Sequence, residues 1–167
     1  VFPFFGLPAD ELHNGILSLD LFWGSQVEAL RERLLLARSI AEQFFMLETF
    51  LKARLATAVT RHPAVDYVLR TFNSSVRPSK VAEVLDRIGL SSRYLSQLFR
   101  EQVGITPKAY HRLCRFQSAV QVIAQSEQTD WAALALECGY FDQAHFIHDF
   151  KAFSGLTPLE YQLQEGK

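Results

Sequence analysis

The stretch FREQVGITPKAY, Phe99 to Tyr110, returns 51 residues later as FKAFSGLTPLEY, Phe150 to Tyr161. Phe, a basic residue, Gly, an aliphatic residue, Thr-Pro and Tyr recur at the same spacing. An internal echo of this kind means that one supersecondary unit was used twice. Each copy follows a small-residue helix, a short turn and a second helix, so the unit reads as a helix-turn-helix. Aligning Gly89 with Gly139 needs an offset of 50, and Gly104 with Gly155 an offset of 51, so the second turn is one residue longer. The expected fold is mainly α: two helix-turn-helix subdomains joined by a long central helix, behind an N-terminal helical appendage.

Capping signals delimit the helices. Ser25 and Ser39 each stand three residues before a glutamate, the capping-box pattern, and helices are predicted from both. Val27, Leu30, Leu34 and Leu35 form an apolar stripe on the first; Ile40, Phe44, Leu47, Phe50, Leu51 and Leu55 form one on the second. These stripes are expected to pack within the chain, with a missing domain or another subunit as alternatives. His62-Pro63 ends the second helix, because the residue before proline is pushed out of the α region. A helix over 64–72 follows, then the loop NSSVRPS, with Ser79 capping a helix over 80–88.

Gly89-Leu90-Ser91 is the first turn, Ser91 or Ser92 opens the next helix, and Gly104 stops it as a C′ glycine. Thr106-Pro107 starts the central helix, with threonine as N-cap and proline at the first helical position. It is predicted to reach Gln125 or Ser126, with Tyr110, Leu113, Gln117, Val120, Ile123 and Ala124 on one side. The cycle repeats with Asp130 capping 131–138, a turn over 139–141, and Asp142 capping a helix to about 153. Gly155 ends that helix, and Thr157-Pro158 with Glu160 opens the last in a second capping box.

An apolar fraction of 49% with 21% charged residues suits a globular chain with a real core. The opening VFPFFGLP lacks the basic region and cleavage site of a signal peptide, so Val1 reads as a point inside a longer protein. No apolar run approaches the roughly 20 residues of a membrane span. Cys114 and Cys138 fit no disulfide framework or zinc spacing and read as reduced, buried thiols of a cytosolic protein.

A net charge of −1 argues against indiscriminate nucleic-acid binding. Its distribution is uneven: residues 70–115 carry nine basic against three acidic residues, and residues 116–167 two basic against seven acidic. The two copies therefore sit in fields of about +6 and −5.

A helix-turn-helix reads DNA by placing its second helix in the major groove while the first braces it on the backbone. In the first copy Ser92, Arg93, Ser96, Gln97 and Arg100 fall on the exposed face, and Leu95, Leu98 and Phe99 on the buried one. Arginine binds a guanine edge in bidentate fashion and glutamine an adenine edge, so Arg93 and Gln97 are the candidate readers. Ser92 and Arg100 suit phosphates. In the second copy the exposed set is Asp142, Gln143, Ala144, Ile147, His148 and Lys151. Gln143 and His148 are candidate readers there and Lys151 a phosphate contact. Asp149 is expected to repel phosphates and weaken this copy.

His145 and His148 invite a metal with Cys138 or Asp149, but the three or four convergent ligands that zinc needs are not assembled by any known spacing. No nucleophile, base and oxyanion donors come together in the sequence, so no enzyme, cofactor or metal is expected.

At these residues the chain resembles the DNA-binding domain of the AraC/XylS family of bacterial transcription regulators. The run GLSSRYLSQLFREQVGITPKAYHRLCRFQSAVQVI carries the first part. The second carries most of the family's signature: Ala132 to Leu136, Cys138-Gly139-Tyr140, Asp142-Gln143, His145-Phe146, Phe150-Lys151, Gly155, Thr157-Pro158 and Tyr161. The match covers about 63–162. The resemblance implies two helix-turn-helix subdomains on one long helix, reading consecutive major-groove faces, with base readers at Arg93, Gln97, Gln143, Ala144 and His148. This chain has His148 and Ala152 where many members have basic residues. The segment FFGLPADELHNGILSLDLFWGSQVEALRERL is similar, more loosely, to the end of an upstream sensor or dimerisation domain.

The expected organisation is a sensor-domain tail over 1–61 and the DNA-binding domain over 62–167. Within the latter the first helix-turn-helix spans about 64–104, the linker helix 107–126 and the second helix-turn-helix 130–163. The expected function is a cytoplasmic, nucleoid-associated, sequence-specific transcription regulator, the first copy dominating. Double-stranded DNA is the expected partner, with RNA polymerase and a second copy through the N-terminal region as candidates, and no membrane. The effector is left open. The alternative is a helical interaction module whose DNA binding is weak or lost.

Overall fold

The computed structural model describes residues 2–5, 7–12, 15–56, 60–73, 81–125 and 129–165. Its helices are α1 (Phe2–Phe5), α2 (Asp20–Trp23), α3 (Ser25–Leu36), α4 (Ile40–Ala56), α5 (Pro63–Asn73), α6 (Val81–Ile88), α7 (Ser92–Val103), α8 (Pro107–Gln125), α9 (Trp131–Glu137), α10 (Gln143–Ser154) and α11 (Pro158–Glu165), with one 3₁₀ turn at Ala9–Leu12. Among the described residues there is no strand. The fold is mainly α, as the repeat implies. Two compact units form: Val1–His62 with Leu98–Gly104, and Pro63–Gln97 with Ile105–Lys167.

The first unit is organised around Trp23, which is buried. Phe5 stacks on its ring at 5.2 Å, Phe50 meets it edge-on at 5.3 Å, and its indole N–H donates to the Phe4 carbonyl at 3.2 Å. Arg54 lies over the same ring, 5.3 Å from its centroid. Such a contact gives an exposed arginine stem an apolar seat. In the same unit the His62 N–H donates to Oε1 of Gln102 at 2.8 Å.

In this unit one expectation fails and another holds only in part. Ser25 is not the cap of α3 but its first helical residue; Gly24, at φ 54°, stands at the N-cap, and glycine reaches that backbone without a Cβ clash. The apolar stripe of α4 is covered only in part: Phe50 packs on Trp23 and Leu47 is half-buried, whereas Ile40, Phe44 and Leu55 remain 72%, 67% and 53% exposed, as does Leu35 of α3 at 75%. Leu30 alone of the α3 stripe is fully buried. Two helices bury at most one facing seam, and the rest of each stripe needs another surface. Ser39 does cap α4, its hydroxyl accepting from the Glu42 N–H at 3.1 Å while Glu42 accepts from the Arg38 N–H at 2.7 Å.

The second unit is capped much as its sequence dictates. Ser91 accepts from the Tyr94 N–H, Thr106 from Ala109, Asp130 from Ala132 and Ala133, and Asp142 from His145. Thr157 and Glu160 close a reciprocal box: Glu160 accepts from the Thr157 N–H at 2.7 Å and donates its own N–H to the threonine hydroxyl at 3.3 Å. Gly155 ends α10 at φ 79°, in the left-handed region, and its N–H donates to the Lys151 carbonyl. Ser79 lies outside the described residues.

Around the first helix-turn-helix, Ala64, Val65, Val68, Phe72, Val84 and Leu95 are buried, and Phe72 packs on the ring of His111 at 4.9 Å. Around the second, Ala119, Ile123, Leu134, Ala135, Cys138, Tyr140, Phe146 and Phe150 form one core. The buried row of α8 differs from the expected one. It is Pro107, Cys114, Arg115, Ala119 and Ile123, whereas Gln117 and Ala124 face solvent. The sequence pattern hid this row because one of its members is an arginine. At 19 residues α8 is roughly 28 Å long, at about 1.5 Å per residue.

Candidate nucleic-acid interface

The second helix of the first helix-turn-helix is α7. Its apolar side is fixed by Leu95 and Phe99, both fully buried, and Leu98, 9% exposed. Burying this row turns the opposite one outward, at helical spacing. Ser92, Arg93, Gln97 and Arg100 are exposed, with Arg93 and Gln97 one turn apart; Ser96 is half-buried. Tyr94 is 45% exposed beside them.

The second helix of the second helix-turn-helix, α10, buries Phe146, Asp149 and Phe150 and exposes Gln143, Ala144, His148 and Lys151. Ile147 departs from the exposed set. It is half-buried, packs on the core and lines an apolar cleft of about 230 Å³ with Trp131, Gln143, Thr157, Pro158 and Leu159. Phe141, next to the N-cap, is 86% exposed.

Asp149 overturns the electrostatic expectation. It does not face the groove: it is 3% exposed and bound by two arginines of α8. Arg112 grips it as a fork, Nε to Oδ2 at 3.2 Å and Nη2 to Oδ1 at 2.7 Å. Arg115 donates from Nη2 to Oδ2 at 3.1 Å and from Nη1 to the Gly139 carbonyl at 3.2 Å, and its guanidinium lies 4.2 Å from the Tyr140 ring centroid. Burial works against ionisation of Asp149, but the Arg112 bond and the two guanidinium charges outweigh it and hold the carboxyl below its ordinary value. Arg112 is raised in return, chiefly through its bond to Asp149. Removing these three charges from the count lowers the first field from +6 to +4 and the second from −5 to −4. The two halves are less unequal than their sequences indicate.

The metal reading of the histidines loses its carboxylate to the same network. His145 Nε2 and His148 Nδ1 stand 3.8 and 4.0 Å from Asp149, whose lone pairs already accept from the guanidinium groups. Among the described residues no group of three His, Cys, Asp or Glu side chains is placed to hold a metal ion. Cys138 is buried, and burial pushes its thiol up to about 11. Among the described residues no helix is long and apolar enough to cross a membrane.

Residues 84–164 match the family model described as a helix-turn-helix domain. The chain is 29% identical over 134 residues to the HTH-type transcriptional activator RhaR of Salmonella schwarzengrund, covering 76% of this chain and 47% of that protein. It is 30% identical over 82 residues to an uncharacterized HTH-type transcriptional regulator of Haemophilus influenzae, covering 49% of this chain and 27% of the relative. The chain thus spans less than half the length of these curated relatives. Among solved structures it is similar to a probable AraC family transcriptional regulator from Rhodopseudomonas palustris, at 26% identity and TM-score 0.53, over 62% of this chain and 98% of that one.

Proposed function

We propose that this chain carries an AraC-type helix-turn-helix DNA-binding domain and serves a sequence-specific transcription regulator that reads two adjacent major-groove half-sites, a reading supported by the helix-turn-helix match over residues 84–164. The observation that carries this reading is the outward row of α7, where Arg93 and Gln97 stand exposed one turn apart above a fully buried Leu95 and Phe99. That arrangement suits bidentate contacts to base edges. Ser92 and Arg100 flank them as phosphate contacts. In α10, Gln143, Ala144 and His148 are the corresponding readers, with Lys151 on the backbone.

The first copy contributes more. The N-terminus of α8 follows Thr106 and carries exposed Lys108, whereas that of α11 holds its own Glu160 carboxylate against the Thr157 N–H. A carboxylate there already answers the helix dipole and repels a phosphate. The domain division proposed is a sensor-domain tail over 1–61 and a DNA-binding domain over 62–167. A second copy of the chain meets the apolar face of α3 and α4, and RNA polymerase is the partner through which bound protein alters transcription in the bacterial cytoplasm.

Selection of bound duplexes from a random pool tests the reading. The expected product is a site of two half-sites about one helical turn apart. Arg93→Ala removes preference at one base pair, a loss of about 1–3 kcal/mol, while His148→Ala loses less. Equal losses contradict the asymmetry, and a pool without enrichment contradicts the function. The alternative, an interaction module whose DNA binding is weak or lost, draws on the apolar stripes of α3 and α4, part of which is exposed, and on the acidic second half. The burial of Asp149 weakens that support, and absence of binding to random duplexes at micromolar protein and low salt is its signature.

A further inference from the structure

We infer that Asp149, held by Arg112 and Arg115, is the residue that positions the second reading helix, so that base preference in the second half-site depends on a side chain that touches no DNA. This inference rests on the proposed DNA-reading function. Its physical basis is directional. In the repeat, Asp149 aligns with Leu98 of the first copy, 51 residues earlier. Leu98 occupies the buried side of α7 through apolar packing, which resists separation but fixes rotation only by shape. The second copy replaces that leucine with a charge-assisted fork, which fixes distance and angle together.

The network ties three elements with one set of bonds. Arg112 and Arg115 stand on α8, the Gly139 carbonyl belongs to the turn, and Asp149 lies at the centre of α10. A single guanidinium, that of Arg115, therefore sets the turn and the reading helix relative to the linker helix. His148 is the immediate neighbour of Asp149, and Gln143 and Ala144 lie on the same helix one to two turns earlier. Rotation of α10 about its axis would swing all three off their bases. Its other buried side chains, Phe146 and Phe150, are rings in an apolar core, which holds them by shape and without directed bonds.

Two variants of the full chain test this, each measured on the duplex that the native chain selects and on random duplex. Asp149→Asn removes the charge but keeps the shape. Arg112→Gln removes the more exposed partner, 38% exposed, and leaves Arg115 in place. Asp149→Asn is expected to lose about tenfold in preference at the second half-site, the size of one mismatched base pair, and Arg112→Gln about threefold. Both should keep the preference at the first half-site. For Asp149→Asn, affinity for random duplex should hold or rise, because one negative charge is removed.

A chain that merely unfolds in its second half would lose affinity for random duplex as well, which separates positioning from stability. Unchanged second half-site preference in both variants overturns the inference, as does a parallel fall at both half-sites. If the native chain selects no site at all, the underlying reading has failed rather than this role for Asp149.

Discussion

Nη2 of Arg115 lies 3.1 Å from Oδ2 of Asp149, with both side chains less than 10% exposed, and the same guanidinium reaches the Gly139 carbonyl. A buried pair of this kind is a poor source of net stability, because desolvation offsets attraction. Breaking it by removing one partner is a different matter.

Arg115→Met should destabilise the chain by only about 1 kcal/mol, since Asp149 keeps its two bonds from Arg112 while the Gly139 carbonyl loses a donor. Asp149→Asn should cost more, about 3 kcal/mol, by leaving the buried Arg115 charge uncompensated, and the gap to the native chain should depend on pH. The folded carboxyl is held below its ordinary value, so its contribution is full above the unfolded value near 3.9 and is lost as pH falls through the lower folded value. Urea titrations from pH 7 down to the acid limit of folding check this: the gap between the native and Asp149→Asn curves should narrow as pH falls below about 4. A constant gap would show that the charge does not matter.

Gly155→Ala should cost about 1 kcal/mol through backbone strain alone. At φ 79° a side chain is disfavoured, yet an added Cβ would meet nothing within 4 Å. The melting temperature reads this directly, and an equally large effect from Gly15→Ala, also in open space but without a positive φ, would contradict the strain explanation.

Cys138 should resist iodoacetamide at neutral pH while the chain is folded. Its thiol is buried and raised to about 11, and the thiolate is the reactive form. Mass spectrometry across a urea series should show labelling that follows global unfolding. Rapid labelling without urea would place Cys138 at the surface.

Phe44→Glu should abolish self-association if the uncovered stripe of α4 meets a second copy. Phe44 is 67% exposed and shares a helix face with Ile40, Leu51 and Leu55. Sedimentation is the measurement: a concentration-dependent mass for the native chain and a monomer for the variant. A native chain that stays monomeric at high micromolar concentration leaves that face for another partner.

Local chemistry was legible in the amino-acid order. The repeat, the Thr-Pro helix starts, the aspartate caps and the stopping glycines are decided within a few residues. The helices of the second unit accordingly begin and end within a residue or two of expectation, and the exposed row of α7 follows from where its leucines and phenylalanine fall. The fate of charges was not legible. A one-dimensional count assigned Asp149 to the groove and Arg115 to a basic field, because nothing local says that residues 34 apart will neutralise each other. Only the packing of α10 on α8 brings them together. The same holds in reverse for α4, whose apolar stripe has the periodicity of a core helix and nevertheless lies open at Ile40, Phe44 and Leu55: periodicity reports which face seeks burial, and the tertiary structure decides whether a surface is there to meet it.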